Sequence, residues 1–181
     1  MVKAEVKEEE GVVLLDLKLT KKHLRVEEDY VEDDDLIEVQ IASALAVAEN
    51  YTGRKFTKGQ LEIVQDNTDS ITIEKLSMND TVEKVEVVEE GVDSILLPAS
   101  SYYTSIMNTE VYTLKFKEVE LKEKQSIKVT VSFGFTKKTI PKPVIQAMLL
   151  TIGDAYEKRE DRAQGNNSAA NNLLRPYKKW A

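Results

Sequence analysis

The sequence predicts an α+β protein: a helical base with an inserted antiparallel β domain. Apolar residues recur at helical spacing near both ends of the chain, whereas residues 60–135 hold short, mostly alternating runs that are typical of strands. The base should contain two N-terminal helices, one long return helix and a short C-terminal helix or tail. We expect a solvated N-terminal arm at residues 1–16, the helical base at 17–56 and 140–181, and the β domain at 57–139.

The composition argues against several classes of protein function. The chain has 181 residues, a net charge of −7 and no cysteine, which excludes disulfides, thiolate nucleophiles and cysteine-bound zinc. An acidic balance argues against a protein that grips nucleic acid over its whole surface. No apolar run is long enough to span a membrane, and residues 1–10 are too charged for a signal peptide. We therefore expect a cytosolic protein, or one assembled in the cytosol, with no membrane partner.

The N-terminal helices are marked by their ends. Asp16 suits the N-cap of a short helix from Leu17 to about Arg25, and Gly53 suits the C′ position of a second helix over residues 36–52. The acidic run of residues 32–35 lacks calcium-loop spacing, so we interpret it as a helix start rather than a metal site. The only histidine, His23, has no partners at ligand spacing and is interpreted as structural or solvent-facing.

The return helix should run from about Ile140 to Arg159. Pro141 and Pro143 fit a first turn, because a proline there loses no intrahelical hydrogen bond. Gly153 lies within the apolar stripe, and we infer that it meets the small residues of the second helix so that the two backbones approach closely. The residues expected to pack the two helices together are Ala44, Ala48, Ile145, Leu149, Ile152 and Gly153.

The β region and the tail leave alternatives open. We expect about six or seven antiparallel strands in a small sandwich or curled sheet, the clearest running from Ile127 to Phe135. The tail from Leu173 to Trp180 is basic and aromatic. Its residue types suit a peptide that docks on a partner, but they would equally pack back onto the chain's own helices. As a nucleic-acid patch the tail is weak, because it carries few cations.

No catalytic signature is visible. The sequence contains no glycine-rich phosphate loop, no nucleophile elbow and no zinc motif. A carboxylate hydrolase would need two acidic residues that their context marks as a pair, and none is marked. We therefore expect no enzyme activity, no catalytic or metal-ligating residues and no cofactor.

Four phrases in the chain, taken in order, resemble those of phage head–tail connector (adaptor) proteins. They are Leu17 with Lys21-Lys22-His23-Leu24-Arg25-Val26, then Tyr51-Thr52-Gly53-Arg54, then Ile140-Pro141 through Tyr156-Glu157-Lys158-Arg159-Glu160, and last Leu173-Leu174-Arg175-Pro176-Tyr177. The resemblance covers about half of the chain, at its two ends. Short members of the family lack the β region, which longer members carry as an insert.

The resemblance implies a virion structural protein without catalytic chemistry. Such proteins form a ring, here of about twelve subunits by cyclic symmetry, that docks under the portal protein, extends the DNA channel and joins the tail or a stopper protein. DNA would pass through without sequence-specific binding. The location implied is the head–tail interface of the virion, and the host cytoplasm during assembly.

The resemblance also assigns candidate residues. The portal-docking candidates are Leu173, Leu174, Arg175, Pro176 and Tyr177, with Trp180 joining them by proximity. Independently of the resemblance, a ring closed by head-to-tail contacts needs two different faces on each subunit, and Arg54 and Arg159, at charged helix ends, are candidates for that contact. The alternative is a monomeric β-domain binding module of a phage or bacterial protein, with a ligand face near Tyr102, Tyr103 and Tyr112.

Overall fold

The computed structural model describes residues 2–9, 13–158 and 168–179. Within these ranges the helices are α1 (Leu17–Leu24), α2 (Asp34–Thr52), α3 (Lys142–Glu157) and α4 (Ser168–Leu174). The strands are β1 (Val2–Glu8), β2 (Gly59–Gln65), β3 (Ile71–Glu74), β4 (Thr81–Glu89), β5 (Val92–Leu96), β6 (Tyr102–Ile106), β7 (Val111–Phe116) and β8 (Ser126–Phe133). The predicted α+β class is confirmed.

The chain forms two compact units. The β unit consists of Met1–Glu10 with Thr57–Gly134, and the helical unit of Gly11–Phe56 with Phe135–Ala181. Compared with the expected division, residues 135–139 lie with the helices and the N-terminal residues lie with the strands. None of the described helices combines the length and the apolar character needed to cross a bilayer.

The helical unit is built around α2 and α3. Ala44 and Ala48 of α2 share one core with Leu149 and Ile152 of α3, and Ile145 packs against the edge of that core. Gly153 lies elsewhere: a Cβ at this position would meet the His23 imidazole of α1 at 3.6 Å. The expected approach of Gly153 to α2 is therefore corrected, because the small residue lies on the side of α3 that faces α1.

The ends of α1 and α2 differ in how they are capped. The Asp16 carboxylate accepts a hydrogen bond from the Leu19 amide at 2.7 Å, which is the expected N-cap. Gly53 ends α2 in the left-handed conformation, also as expected. At the start of α2, however, the Asp33 side chain makes no capping bond; it accepts from the Tyr156 hydroxyl of α3 instead. The acidic run thus joins two helices as well as facing the positive end of α2's dipole.

The β unit is a sandwich of two antiparallel sheets. One sheet has the strand order β1-β2-β8-β4-β5 and the other β3-β7-β6. Their inner faces share a core that is centred on β8, where Ile127, Val129 and Val131 are completely buried. Alternation along β2, β3 and β8 explains this, because successive side chains of a strand point to opposite faces.

Two segments of the β unit differ from the sequence-based expectation. Residues 2–8, expected to be part of a solvated arm, form β1 and pair with β2 along their whole length, although every side chain stays exposed. The strand expected to reach Phe135 ends at Phe133. Gly134 has a φ of +82°, which breaks the ladder and directs Phe135 into the helical core, where its amide donates to Phe56 at 2.8 Å.

Candidate functional site

The C-terminal segment binds the end of α2. The Arg54 Nε donates to the Tyr177 carbonyl at 2.8 Å, and the Lys179 amide donates to the Thr52 carbonyl at 2.7 Å. The Lys178 ammonium lies 5.3 Å from the centre of the Tyr51 ring, within reach of a cation–π attraction. We call these residues, 51–54 and 175–179, the C-terminal clasp. Two of the four phrases that carry the family resemblance are therefore in direct contact.

The predicted portal-docking residues divide into two groups within the clasp region. Leu174 is buried, and Leu173 and Tyr177 are half-buried against the helical core. Arg175 and Pro176 are exposed. The structure thus places the two leucines and the tyrosine in the self-packed arrangement that the sequence left open, and it leaves Arg175 and Pro176 accessible to a partner. Trp180 lies outside the described residues.

Of the two arginines predicted to contact a neighbouring subunit, the structure describes Arg54. The Arg54 side chain is buried, with 8% of the residue exposed, and it is engaged within its own helical unit. This corrects its expected place on the subunit surface, because the buried guanidinium donates to the Tyr177 main-chain carbonyl of its own chain. Arg159 lies outside the described residues.

Lys21 belongs to the first of the four phrases that carry the family resemblance, and its burial was not expected from the sequence. Only 4% of its side chain is exposed. The ammonium donates to the carbonyls of Glu28 and Tyr30 at 3.0 and 2.6 Å, and it lies 2.8 Å from the Asp34 carboxylate. Lys21 therefore ties the loop between α1 and α2 to the first turn of α2. A lysine within an otherwise solvated Lys-Lys-His run gave no sequence signal of this burial.

One stripe on the exposed side of α2 carries no charged residue, although Asp35 and Glu38 are exposed elsewhere on the helix. Residues Leu36, Val39, Ser43, Ala46 and Asn50 follow one another at spacings of three and four, and all five are exposed. Val47 flanks them, and Val39 is 67% exposed. We call this surface the outer α2 stripe. A helix that is apolar on both sides is usually buried on both, and the three–four spacing is the pattern with which helices pack along a seam. Which of the two sides of α2 is exposed follows only from the burial of each residue in the structure.

The three tyrosines of the alternative interpretation do lie together. Tyr102, Tyr103 and Tyr112 line a groove of about 590 Å³ in the β unit, together with Lys75 and Asp80. Within the ranges that the structure describes, no group of carboxylates and histidine is arranged to hold a metal ion.

Proteins of known structure share the fold of this chain. The chain is similar in fold to a chain in the neck of an empty gene transfer agent particle computed with C6 symmetry, with a TM-score of 0.70 and 17% identity over 98% of this chain and 96% of that one. It is also similar to a chain of the native particle's virion, with a TM-score of 0.67, 16% identity and coverage of 97% and 96%. A third match, in the native neck computed with C12 symmetry, has a TM-score of 0.64, 15% identity and coverage of 98% and 96%.

The sequence identities between this chain and these solved structures are low, so the matches establish a shared fold and nothing further. No curated protein sequence matches the chain significantly. The family model described as phage gp6-like head-tail connector protein matches residues 15–130, which is more than half of the chain. The matched region includes α1, α2 and the Tyr51-to-Arg54 half of the clasp. The chain therefore belongs to the phage gp6-like head-tail connector family, and its function is that of a structural connector of the virion.

Proposed function

We propose that this protein forms a closed head-to-tail ring in the neck of a tailed phage or of a gene transfer agent-like particle. The observation that carries the proposal is the fold similarity, over nearly the whole chain, to neck structures computed with C6 and C12 symmetry. A six-fold operator is contained in a twelve-fold one, so both are compatible with about twelve subunits by cyclic closure.

The outer α2 stripe is the proposed contact between neighbouring subunits. It presents Val39 and the small residues Ser43 and Ala46 to solvent in the single chain, which leaves apolar area unburied at a cost of roughly 25 cal/mol per Å². A ring buries the same patch on every copy, and a head-to-tail contact requires the facing surface of the neighbour to differ from it. This assignment replaces Arg54. The predicted role of Arg159 stays a prediction.

Above and below the ring, we propose that the portal protein and a tail or stopper protein bind. Arg175 and Pro176 are the accessible residues of the C-terminal phrase, so they are the first portal contacts to examine. The channel would carry DNA without reading its sequence, and the net charge of −7 supports sliding because like charges repel phosphate. Assembly would take place in the host cytoplasm, and no chemical reaction is required of the ring.

The first experiment is to measure the mass of the protein by light scattering, alone and mixed with the portal protein of its own genome. We expect either a ring or a monomer that joins the portal in stoichiometric amounts. A monomer that ignores the portal would overturn the proposal. The variant Arg175→Glu should keep its own oligomeric state and lose portal attachment.

The contact surface is tested with a matched pair of charge substitutions. Val39→Lys, in the outer α2 stripe, should prevent ring formation while the far-ultraviolet circular dichroism stays unchanged. Ala155→Lys places the same charge on an exposed position of α3 and should leave the ring intact. Equal behaviour of the two variants would remove the stripe from the subunit contact.

A further inference from the structure

The strand β6 is one of the two edges of the three-stranded sheet, since the order is β3-β7-β6. Its pairing with β7 fixes which backbone groups point outward. The Lys117 amide donates to Ser101 and the Met107 amide donates to Val111, and the pairs Tyr103–Lys115 and Ser105–Thr113 lie in register between them. Hydrogen-bonded and non-bonded pairs alternate in an antiparallel ladder. The odd-numbered residues of β6 therefore bond to β7.

The remaining residues, Tyr102, Thr104 and Ile106, direct their N–H and C=O groups away from β7. Among the residues that the structure describes, none donates to or accepts from these backbone groups. The same three residues line the groove that runs beside β6. The residues with unpaired main-chain groups thus also line an open groove.

This edge lacks the protection that exposed edges usually carry. Natural sheets discourage strand addition with charged residues on their edges. Among the described edge strands, β1 carries four charged residues, β3 carries Glu74 and β5 carries Asp93, whereas β6 reads Tyr-Tyr-Thr-Ser-Ile. Ile106 is 77% exposed, and its neighbour Met107 is also exposed. An uncharged edge with an apolar rim is what a strand-binding surface requires.

The groove also contains a buried hydroxyl without a partner. Tyr112 is 6% exposed, and its hydroxyl has no hydrogen-bond partner among the described residues. Burial, and then the nearby Asp80 carboxylate, raise the pKa of this hydroxyl, so it stays protonated and able to donate. A buried polar group without a partner costs on the order of 1–3 kcal/mol. A polar side chain that enters the groove would satisfy it.

We propose that β6 and its groove bind an extended peptide segment of another protein, which adds as a strand to the β3-β7-β6 sheet. Its main chain would bond to Tyr102, Thr104 and Ile106, and one of its polar side chains would reach the Tyr112 hydroxyl. Apolar residues at alternate positions would cover Tyr102 and Ile106, whose side chains lie on the same face of the sheet as Tyr112. The choice of a different protein over a second copy rests on the proposed ring, because β6 paired with β6 gives a two-fold contact that does not propagate around a ring.

The test is a selection of peptides from a displayed random library against the purified full chain. It does not need the ring or the portal, so its failure is distinguishable from failure of the proposed function. We expect enriched peptides with alternating apolar residues. Their affinity should fall by roughly tenfold or more with Ile106→Lys and should be unchanged with Ile95→Lys, which places the same charge on the exposed edge β5.

Two further measurements make the outcome specific to strand addition. Methylating alternate backbone amides of a selected peptide should abolish binding for one set of positions and spare the other. Tyr112→Phe should weaken binding without lowering the melting temperature of the free protein, because the lost hydroxyl had no partner in the described part of the chain. No enriched peptide, or binding that is indifferent to Ile106→Lys or to the methylated set, would overturn the proposal. Self-association that Ile106→Lys removes would assign the edge to a second copy and would also overturn it.

Discussion

The Arg54 guanidinium donates to the main-chain carbonyl of Tyr177 at 2.8 Å, across 123 positions of sequence. The donor follows the Gly53 cap of α2, and the acceptor is the last residue of the phrase Leu173-Leu174-Arg175-Pro176-Tyr177. A hydrogen bond from a charged donor to a main-chain carbonyl fixes the path of the backbone regardless of the side chains attached to it. This bond therefore holds Arg175 and Pro176 where a partner could meet them.

Replacing Arg54 with alanine should destabilise the helical unit and release the C-terminal segment. The loss of a hydrogen bond from a charged group costs roughly 1.5–3 kcal/mol, and the Tyr177 carbonyl would lose its donor. Chemical denaturation measures the first effect, and hydrogen exchange at the Lys179 amide, which bonds to Thr52, measures the second. Arg175→Ala is the control, since this exposed residue should change neither. If the Lys179 amide exchanges equally slowly in Arg54→Ala, the clasp does not depend on Arg54.

Replacing Lys21 with alanine should be more damaging. Removing one partner of a fully buried charged pair costs about 3–5 kcal/mol. Here two carbonyls and the Asp34 carboxylate would lose the same ammonium, but the Asp34 side chain is 25% exposed, so we expect a cost of about 3 kcal/mol. The free energy of unfolding of Lys21→Ala, compared with that of Lys22→Ala, measures this cost. Lys22 is exposed and serves as the matched control. Equal stability of the two variants would show that the loop between α1 and α2 is held by other contacts.

Gly134 should not tolerate a side chain. Its φ of +82° disfavours any L-residue, and a Cβ would lie 2.0 Å from the Thr57 carbonyl oxygen. Gly91 has a similar φ of +77° but nothing within 4 Å of the added atom. Gly91→Ala should therefore cost about 1–2 kcal/mol from the backbone alone, and Gly134→Ala should cost clearly more. Denaturation followed by circular dichroism compares them, and a smaller effect at Gly134 would contradict the close approach.

The stability of the β unit should fall in acid partly through Glu62. The Lys128 and Lys7 ammonium groups, at 2.8 and 2.7 Å, hold the pKa of this carboxyl below its ordinary value of 4.5. A carboxyl with a lowered folded-state pKa stabilises the protein above the unfolded-state pKa, and that contribution disappears as the pH falls through the folded-state pKa. The cluster lies partly at the surface, so its contribution should be about 1 kcal/mol or less.

The measurement for Glu62 is the free energy of unfolding as a function of pH, from neutral pH down to well below 4.5. Glu62→Gln should be less stable at neutral pH and should lose less stability on acidification than the unmodified protein. Glu123→Gln, in an exposed turn, should keep the full acid dependence. Parallel curves for Glu62→Gln and the unmodified protein would exclude Glu62 as a contributor.

Local signals in the sequence were sufficient for the helices and for most strands. Asp16 and Gly53 have cap chemistry that depends only on neighbouring residues, and alternation predicts β8 as far as Phe133. The charged, alternating segment Val2–Glu8 has the pattern of a solvated arm, because none of its side chains is buried. The segment is held in place by its pairing with β2, and the pattern of its own residues gives no sign of that partner.

Contacts between distant segments could not be predicted in the same way. Gly153 was expected to meet α2, but helical periodicity does not say which helix a residue faces, and a Cβ at this position would meet His23 of α1 at 3.6 Å. The burial of Arg54 is likewise settled by the return of the C-terminal segment. Of the candidate surfaces, the groove beside Tyr112 could be anticipated from its tyrosines, while the outer α2 stripe required the exposure of each residue to be known.

The hydrogen bond from the Phe135 amide to Phe56 has a consequence for how such a chain can change over evolutionary time. The chain leaves the helical unit after Phe56 and re-enters it at Phe135. The two ends of the intervening segment are therefore close together. For the helical core this segment is a surface loop, and doubling the length of a loop adds only about 0.6 kcal/mol of closure entropy. A lineage can therefore gain, shorten or exchange residues 57–134 in one genetic step, and only β1 must be acquired separately.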